Sequence, residues 1–146
     1  MRTLKILFLC TGNSCRSQMA EGWGKHLYPD RYDFYSAGIE KHGLNPLAVT
    51  VMGEAGVDIS TQYSKLLSEL ESITFDYVIT VCDHAHEQCP LFAGKAIRLH
   101  QEFPDPPRLA KNAASEEEAL DHYRNVRDAI REYLVNLPSI LASLNP

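Results

Sequence analysis

A chain of 146 residues, 45% of them hydrophobic and 23% charged, is long enough to bury one full core and has the balance of an ordinary soluble globular protein. Its net charge of −5 argues against a nucleic-acid footprint, and no apolar run approaches the ~20 residues that a membrane span requires. The opening Met1-Arg2-Thr3-Leu4-Lys5 runs directly into a strand pattern of about five apolar residues, too short for the core of a signal peptide, so a cytoplasmic protein is expected. There the four cysteines stay reduced and need a purpose other than a static disulfide framework.

Residues 5–10 form an apolar run with β character that ends abruptly at Cys10, followed by a short polar loop. Arg16-Ser17 open a helix carrying Met19, Ala20, Trp23 and Leu27 at helical spacing, weakened by Gly22 and Gly24 and ended by Pro29-Asp30. Trp23 is expected in the core. Residues 31–37 read as a second strand, with Tyr32, Phe34 and Ala37 alternating against Asp33 and Ser36. After a loop, Asn45-Pro46 supply an N-cap acceptor and a first-turn proline for a helix that stops at Gly56. A short helix is expected over about 64–73. Residues 75–81 give the strongest strand signal after the first, and they too lead into a cysteine, Cys82. A further short strand over 95–100 precedes a proline-rich loop over 101–114. Ser115-Glu116-Glu117-Glu118 is a capping box that opens a long helix, interrupted at Pro138. With no internal repeat and no dividing linker, the alternation predicts a single α/β domain over 1–146, an open parallel sheet of about four strands flanked by helices. Sites in such sheets lie beyond the carboxyl ends of the strands, which puts Cys10 and Cys82 on one face.

A strand, a tight loop and a helix N-terminus make an anion cradle, because unpaired backbone N–H groups and the helix dipole converge on one point. Thr11, Gly12, Asn13, Ser14, Cys15, Arg16 and Ser17 are therefore the candidate oxyanion-binding residues. The donors that hold an oxyanion also favour Cys10 as thiolate, the form that attacks. Arg16, six positions on, can grip two oxygens of a tetrahedral anion with its planar fork. A plain strand-to-helix turn with a buried Cys and a surface Arg would leave Gly12 and its polar neighbours unexplained.

Cys10-x5-Arg16-Ser17 directly after the first strand resembles the low-molecular-weight tyrosine phosphatase fold, which thioredoxin-coupled arsenate reductases share. CTGNSCRSQMAEGWGK at 10–25 is more similar to the reductases than to the phosphatases. So are YSAGIEKHGLNP at 35–46, CDHAHEQCP at 82–90 and the acid in PDP at 104–106. The resemblance runs from the first strand to the last helix. It departs at 106–120, which is longer and richer in alanine and glutamate, and the tail after Pro138 has no counterpart. It implies arsenate as substrate, Cys10 as nucleophile, Arg16 as anion clamp, Asp105 as general acid, and Cys82 and Cys89 as the further thiols of a disulfide relay. It also implies thioredoxin as the source of electrons and no tightly bound cofactor. A monomer is expected, with no nucleic-acid or membrane partner.

Along a helix, Cys82 and Cys89 would stand about 10 Å apart, whereas a disulfide needs Cα atoms roughly 4.4–6.8 Å apart. A helical segment there would have to unwind, and Asp83, His84, Glu87, Gln88 and Pro90 offer little to resist it. Taken alone, the pair is equally two unrelated thiols in a loop; the resemblance assigns it to the relay. Zinc bound by the cysteines with His84 and His86 fits poorly, because C-x4-C and C-x6-C lack the tight C-x2-C knuckle, and no metal is expected. His26, His42, His100 and His122 carry no spacing signal and are read as structural.

The alternative function is a low-molecular-weight phosphatase acting on phosphate monoesters, which needs only Cys10, Arg16 and Asp105. A non-enzymatic thiol sensor would leave Arg16 and Asp105 unused. Some of the reductases hold potassium beside the loop, and Asn13, Glu21 and Ser36 match contributing positions, but the further carboxylate of that pattern falls at Lys65. An ammonium there would repel a cation and take its place beside Glu21, or would point into solvent.

Overall fold

In the computed structural model, which describes residues 3–82 and 96–144, the first apolar run forms strand β1, Leu4–Cys10. Ile6, Leu7, Phe8 and Leu9 are all fully buried. Successive strand residues point to opposite faces, so the sheet is covered on both. β2 (Tyr32–Gly38) pairs with one edge of β1 and β3 (Tyr77–Thr80) with the other, and β4 (Ile97–His100) lies outside β3. The order is β2-β1-β3-β4 and every pairing is parallel, as the alternating pattern predicts. The register sets Cys10 against Gly38 and Leu9 against Thr80, so the three inner carboxyl ends lie level. The chain leaves β1 on one side and returns on the other, and the crevice at such a reversal is where an open α/β sheet offers a site.

Helix α1, Arg16–Leu27, rises from the end of the Cys10 loop. All of its residues from 17 to 24 are buried, because it lies between the sheet and the long helix α4, Glu116–Val135. Trp23 is in the core and its Nε1 donates to the Arg127 carbonyl at 3.2 Å. The two glycines that weaken α1 mark close approaches: a Cβ on Gly24 would lie 2.7 Å from the Phe34 ring. Helix α2, Pro46–Glu54, is capped by Asn45, whose Oδ1 accepts from the amides of Leu47 and Ala48. The segment after it turns at Gly56, with φ +83°.

Four expectations are corrected. Over 64–73 only a 3-10 turn forms, Leu67–Leu70. The Lys65 carbonyl accepts from Gly38 and the Lys65 amide donates to Asn13, so this backbone is spent on β2 and the loop and cannot close a helix. The proline-rich loop contains helix α3, Pro106–Ala110, with Asp105 at its N-cap. Pro106 and Pro107 sit in the first turn, where a missing N–H costs nothing. The long helix ends at Asn136, before Pro138, and Pro138 falls in the first turn of a separate helix α5, Leu137–Leu144. Ser36, expected on the polar face of β2, is buried and its hydroxyl donates to Glu21. Lys95, the first residue of the expected fourth strand, lies outside the described residues.

Candidate active site

The loop between Cys10 and Arg16 is held by its carbonyls. The amides of Ile39, Glu40, His42 and Asn45 donate to the carbonyls of Cys10 (3.3 Å), Thr11 (2.7 Å), Gly12 (3.0 Å) and Ser14 (3.0 Å). Gln18 Nε2 donates to the Asn13 carbonyl at 3.0 Å. Among the described residues no peptide is cis, and in a trans peptide the C=O and the following N–H point in opposite directions. Those carbonyl bonds therefore turn the amides of residues 11–15 away from the partner segment, and Cys10, Thr11, Gly12, Ser14, Cys15 and Arg16 line a cavity of about 380 Å³. Asn13 takes the left-handed conformation that this path requires, φ +48°.

Cys10 is buried, with its Sγ 2.8 Å from Ser17 Oγ. Ser17 Oγ accepts from Asn13 Nδ2 at 2.9 Å, so its single proton is left for the sulfur. The orientation of Asn13 is itself fixed, because the Lys65 amide donates to Asn13 Oδ1 at 2.7 Å and an N–H can face only the oxygen. Gln18 Nε2 donates to the same Oδ1 at 3.1 Å, and Gln62 Nε2 donates to Gln18 Oε1 at 2.8 Å. A chain of side-chain amides thus runs from half-buried Gln62 through Gln18 and Asn13 to Ser17, which meets Cys10.

On the opposite wall, Arg16 Nη1 donates to the Phe103 carbonyl at 3.0 Å and Nη2 lies 3.8 Å from Asp105 Oδ1. Asp105 stands at the N-cap of α3 without making a side-chain cap bond, so its carboxylate remains directed at Arg16 and the cavity. Cys82 is buried just past β3, and its Sγ lies 3.2 Å from Thr11 Oγ1. It lines an adjoining cavity of about 480 Å³ that shares Thr11, Arg16 and Asp105 with the first. Burial, reinforced by neighbouring Cys10, pushes the Cys15 thiol far up, so it stays protonated.

Lys65 turns inward and is 7% exposed. Its Nζ donates to the Tyr63 carbonyl at 2.8 Å, lies 3.8 Å from Glu21 Oε1 and sits 4.5 Å from the centre of the Tyr63 ring. Burial pulls its pKa below the usual lysine range and Glu21 opposes that shift.

The fold thus brings together Cys10, residues 11–17, Asp105 and Cys82; Cys89, His84 and His86 lie outside the described residues. Among the described residues no group of His, Cys, Asp and Glu is arranged to hold a metal ion, and no helix is long and apolar enough to cross a membrane. His42, Asn45 and Pro107 also line the cavity and were missed as site residues. His42 and Asn45 both belong to YSAGIEKHGLNP, but a loop has no period that tells which side chains turn inward. Asn45 caps α2 and donates through Nδ2 to the Tyr123 hydroxyl at 3.0 Å, so one side chain joins two helices.

The family described as low molecular weight phosphotyrosine protein phosphatase matches residues 5–145. An arsenate reductase of Halalkalibacterium halodurans is 50% identical over 125 residues, which cover 86% of this chain and 88% of that protein. The arsenate reductase of Bacillus subtilis is 48% identical over 125 residues, with the same coverage of both. A solved structure of an arsenate reductase in the phosphate binding state superposes with a TM-score of 0.78 at 32% identity, over 92% of this chain and 96% of that one. This chain belongs to the low molecular weight phosphotyrosine protein phosphatase family and, within it, is similar to the arsenate reductases.

Proposed function

We propose that this chain reduces arsenate to arsenite and is regenerated by thioredoxin. The observation that carries the reading is a buried thiol brought to the cradle from another strand: Cys82, hydrogen-bonded to Thr11, for which ester hydrolysis has no use. Relatives named arsenate reductase at 50% identity, and a similar fold solved with that name in a phosphate binding state, support it.

Arsenate is held by the loop amides and Arg16. The Cys10 thiolate attacks arsenic, and an oxygen leaves as water with a proton from Asp105. Cys82 then attacks the Cys10 sulfur of the adduct. The S–As bond breaks with its electron pair remaining on arsenic, arsenite departs, and two thiols have lost two electrons to form Cys10–Cys82. Cys89 attacks Cys82 and frees Cys10, and the resulting Cys82–Cys89 disulfide is reduced by the dithiol of thioredoxin. Asn13 and Ser17 hold the thiolate, and Cys15 packs. The protein works as a cytoplasmic monomer of one domain with no metal of its own. Lys65 occupies the place of a potassium ion beside Glu21. Exchanging sodium for potassium at fixed ionic strength then leaves melting temperature and kinetics unchanged, and Lys65→Asp makes stability potassium-dependent. Potassium activation of the unaltered protein would end that part of the reading.

The test is arsenate-dependent NADPH oxidation coupled through thioredoxin and its reductase, run beside an aryl-phosphate assay. Robust turnover in the first with weak hydrolysis in the second is expected. Hydrolysis without arsenate turnover would make the chain a phosphatase instead.

A further inference from the structure

We propose that His42 sets the affinity of the cradle for its oxyanion, by bringing a charge and an N–H to the cavity mouth when its ring is protonated. This rests on the reading of the cavity as an oxyanion site. The His42 amide donates to the Gly12 carbonyl at 3.0 Å, which anchors the residue to the loop, and its side chain lines the cavity with Arg16 and Asn45. The ring lies so close to Gly12 that an added Cβ there would meet Nδ1 at 2.2 Å and Cγ at 2.5 Å. Only glycine admits this approach, and Nδ1 leads it. On the far side of the ring, Nε2 is 2.9 Å from Glu40 Oε2. A carboxylate only accepts, so Nε2 carries a proton whether the ring is neutral or charged. The nitrogen that gains or loses the second proton is therefore Nδ1, the one against the loop.

The charged and titratable groups around the cavity give this proton its effect. Arg16 is the cation of the clamp, and Cys10 and Asp105 are the acidic groups that line the cavity with it. Cys15 stays neutral through burial, and so does Tyr123, which lies behind Asn45. Lys41 is turned to Glu69 at 3.5 Å. The His42 side chain is 53% exposed, which limits the gain to about fivefold in affinity.

Sulfate is the suitable probe, because it keeps the same double charge across the range in which histidine titrates. Calorimetric titration of sulfate into the Cys10→Ser protein, which lacks the sulfur at the cradle and keeps the other three cysteines in every variant compared, is carried out at about pH 5.5 and about pH 8.5. Binding about fivefold tighter at the lower pH is expected. Adding His42→Gln should give the weaker affinity at both pH values, and adding His42→Lys the tighter one at both. Asp105 is common to all three proteins, so its contribution cancels in the comparison. The same pH ratio in the parent and in His42→Gln would overturn the role of His42 and leave the cradle intact. No sulfate binding by any of the three would overturn the cradle reading, and this inference with it.

Discussion

On the loop side of the cavity, carbonyls of residues 10–14 are held by amides of the segment after β2 and by Gln18, and Cys10 is held through Ser17 and Asn13. On the other side, Asp105 meets Arg16 at 3.8 Å without a cap bond and Cys82 shares a 3.2 Å contact with Thr11. The difference follows the chemistry. Donors aimed at an anion work best when nothing must reorganise as charge develops. In the proposed reaction, Asp105 and Cys82 must instead approach an adduct that forms only after the first attack.

The largest effects break the comparison at its two thiols. Cys10→Ser should abolish arsenate turnover and aryl-phosphate hydrolysis together, because both need the nucleophile. Cys82→Ser should abolish multiple-turnover reduction and spare hydrolysis. A Cys82→Ser protein that still turned over arsenate through thioredoxin would remove the distinction between the walls. Asp105→Asn should lower kcat by about 10²–10⁴-fold with little change in KM, since the acid acts on the leaving oxygen. An effect confined to KM would make Asp105 a binding residue.

On the loop side, Asn13→Ala should cost about 1–3 kcal/mol in urea unfolding, because the buried Lys65 amide loses its acceptor and Ser17 its donor. The same change should slow alkylation of Cys10 at fixed pH, and an unaltered rate would show that the amide chain does not reach the sulfur. The smallest effect concerns the support of the far wall, where the Tyr133 ring packs edge-on to Phe103 with centroids 6.0 Å apart. Burial pushes its phenol up to about 12. An unfolded chain gives up that proton near the ordinary tyrosine value, about 10, so Tyr133 adds nothing below it and costs stability as pH rises from there toward 12. Tyr133→Phe should make the alkaline fall in Tm shallower, and an identical fall would show that the ring is not buried in solution.

Much of this was readable beforehand where local pattern and final structure agree. The run ending at Cys10 is apolar because it is the central strand, and Cys-x5-Arg is a spacing that the loop itself imposes. The misreadings arose where distant partners decide. Residues 64–73 read as a helix, but their backbone is claimed by Gly38 and Asn13. Ser36 reads as a surface residue, but its hydroxyl donates to the Glu21 carboxylate on α1. Prolines at 106 and 107 read as loop, although the first turn of a helix is the one place that admits them. His42 carries no spacing signal because the residue its ring packs against, Gly12, stands thirty positions earlier.

The most direct test of the central claim, that two thiols on facing walls jointly deliver two electrons, is a single turnover without thioredoxin. Fully reduced protein is mixed with arsenate, quenched by alkylation, and analysed for arsenite and for the state of each cysteine. One arsenite per chain is expected, with Cys10 and Cys15 alkylated and Cys82 joined to Cys89. Arsenite formed with Cys82 still free, or a disulfide that contains Cys15, would contradict it.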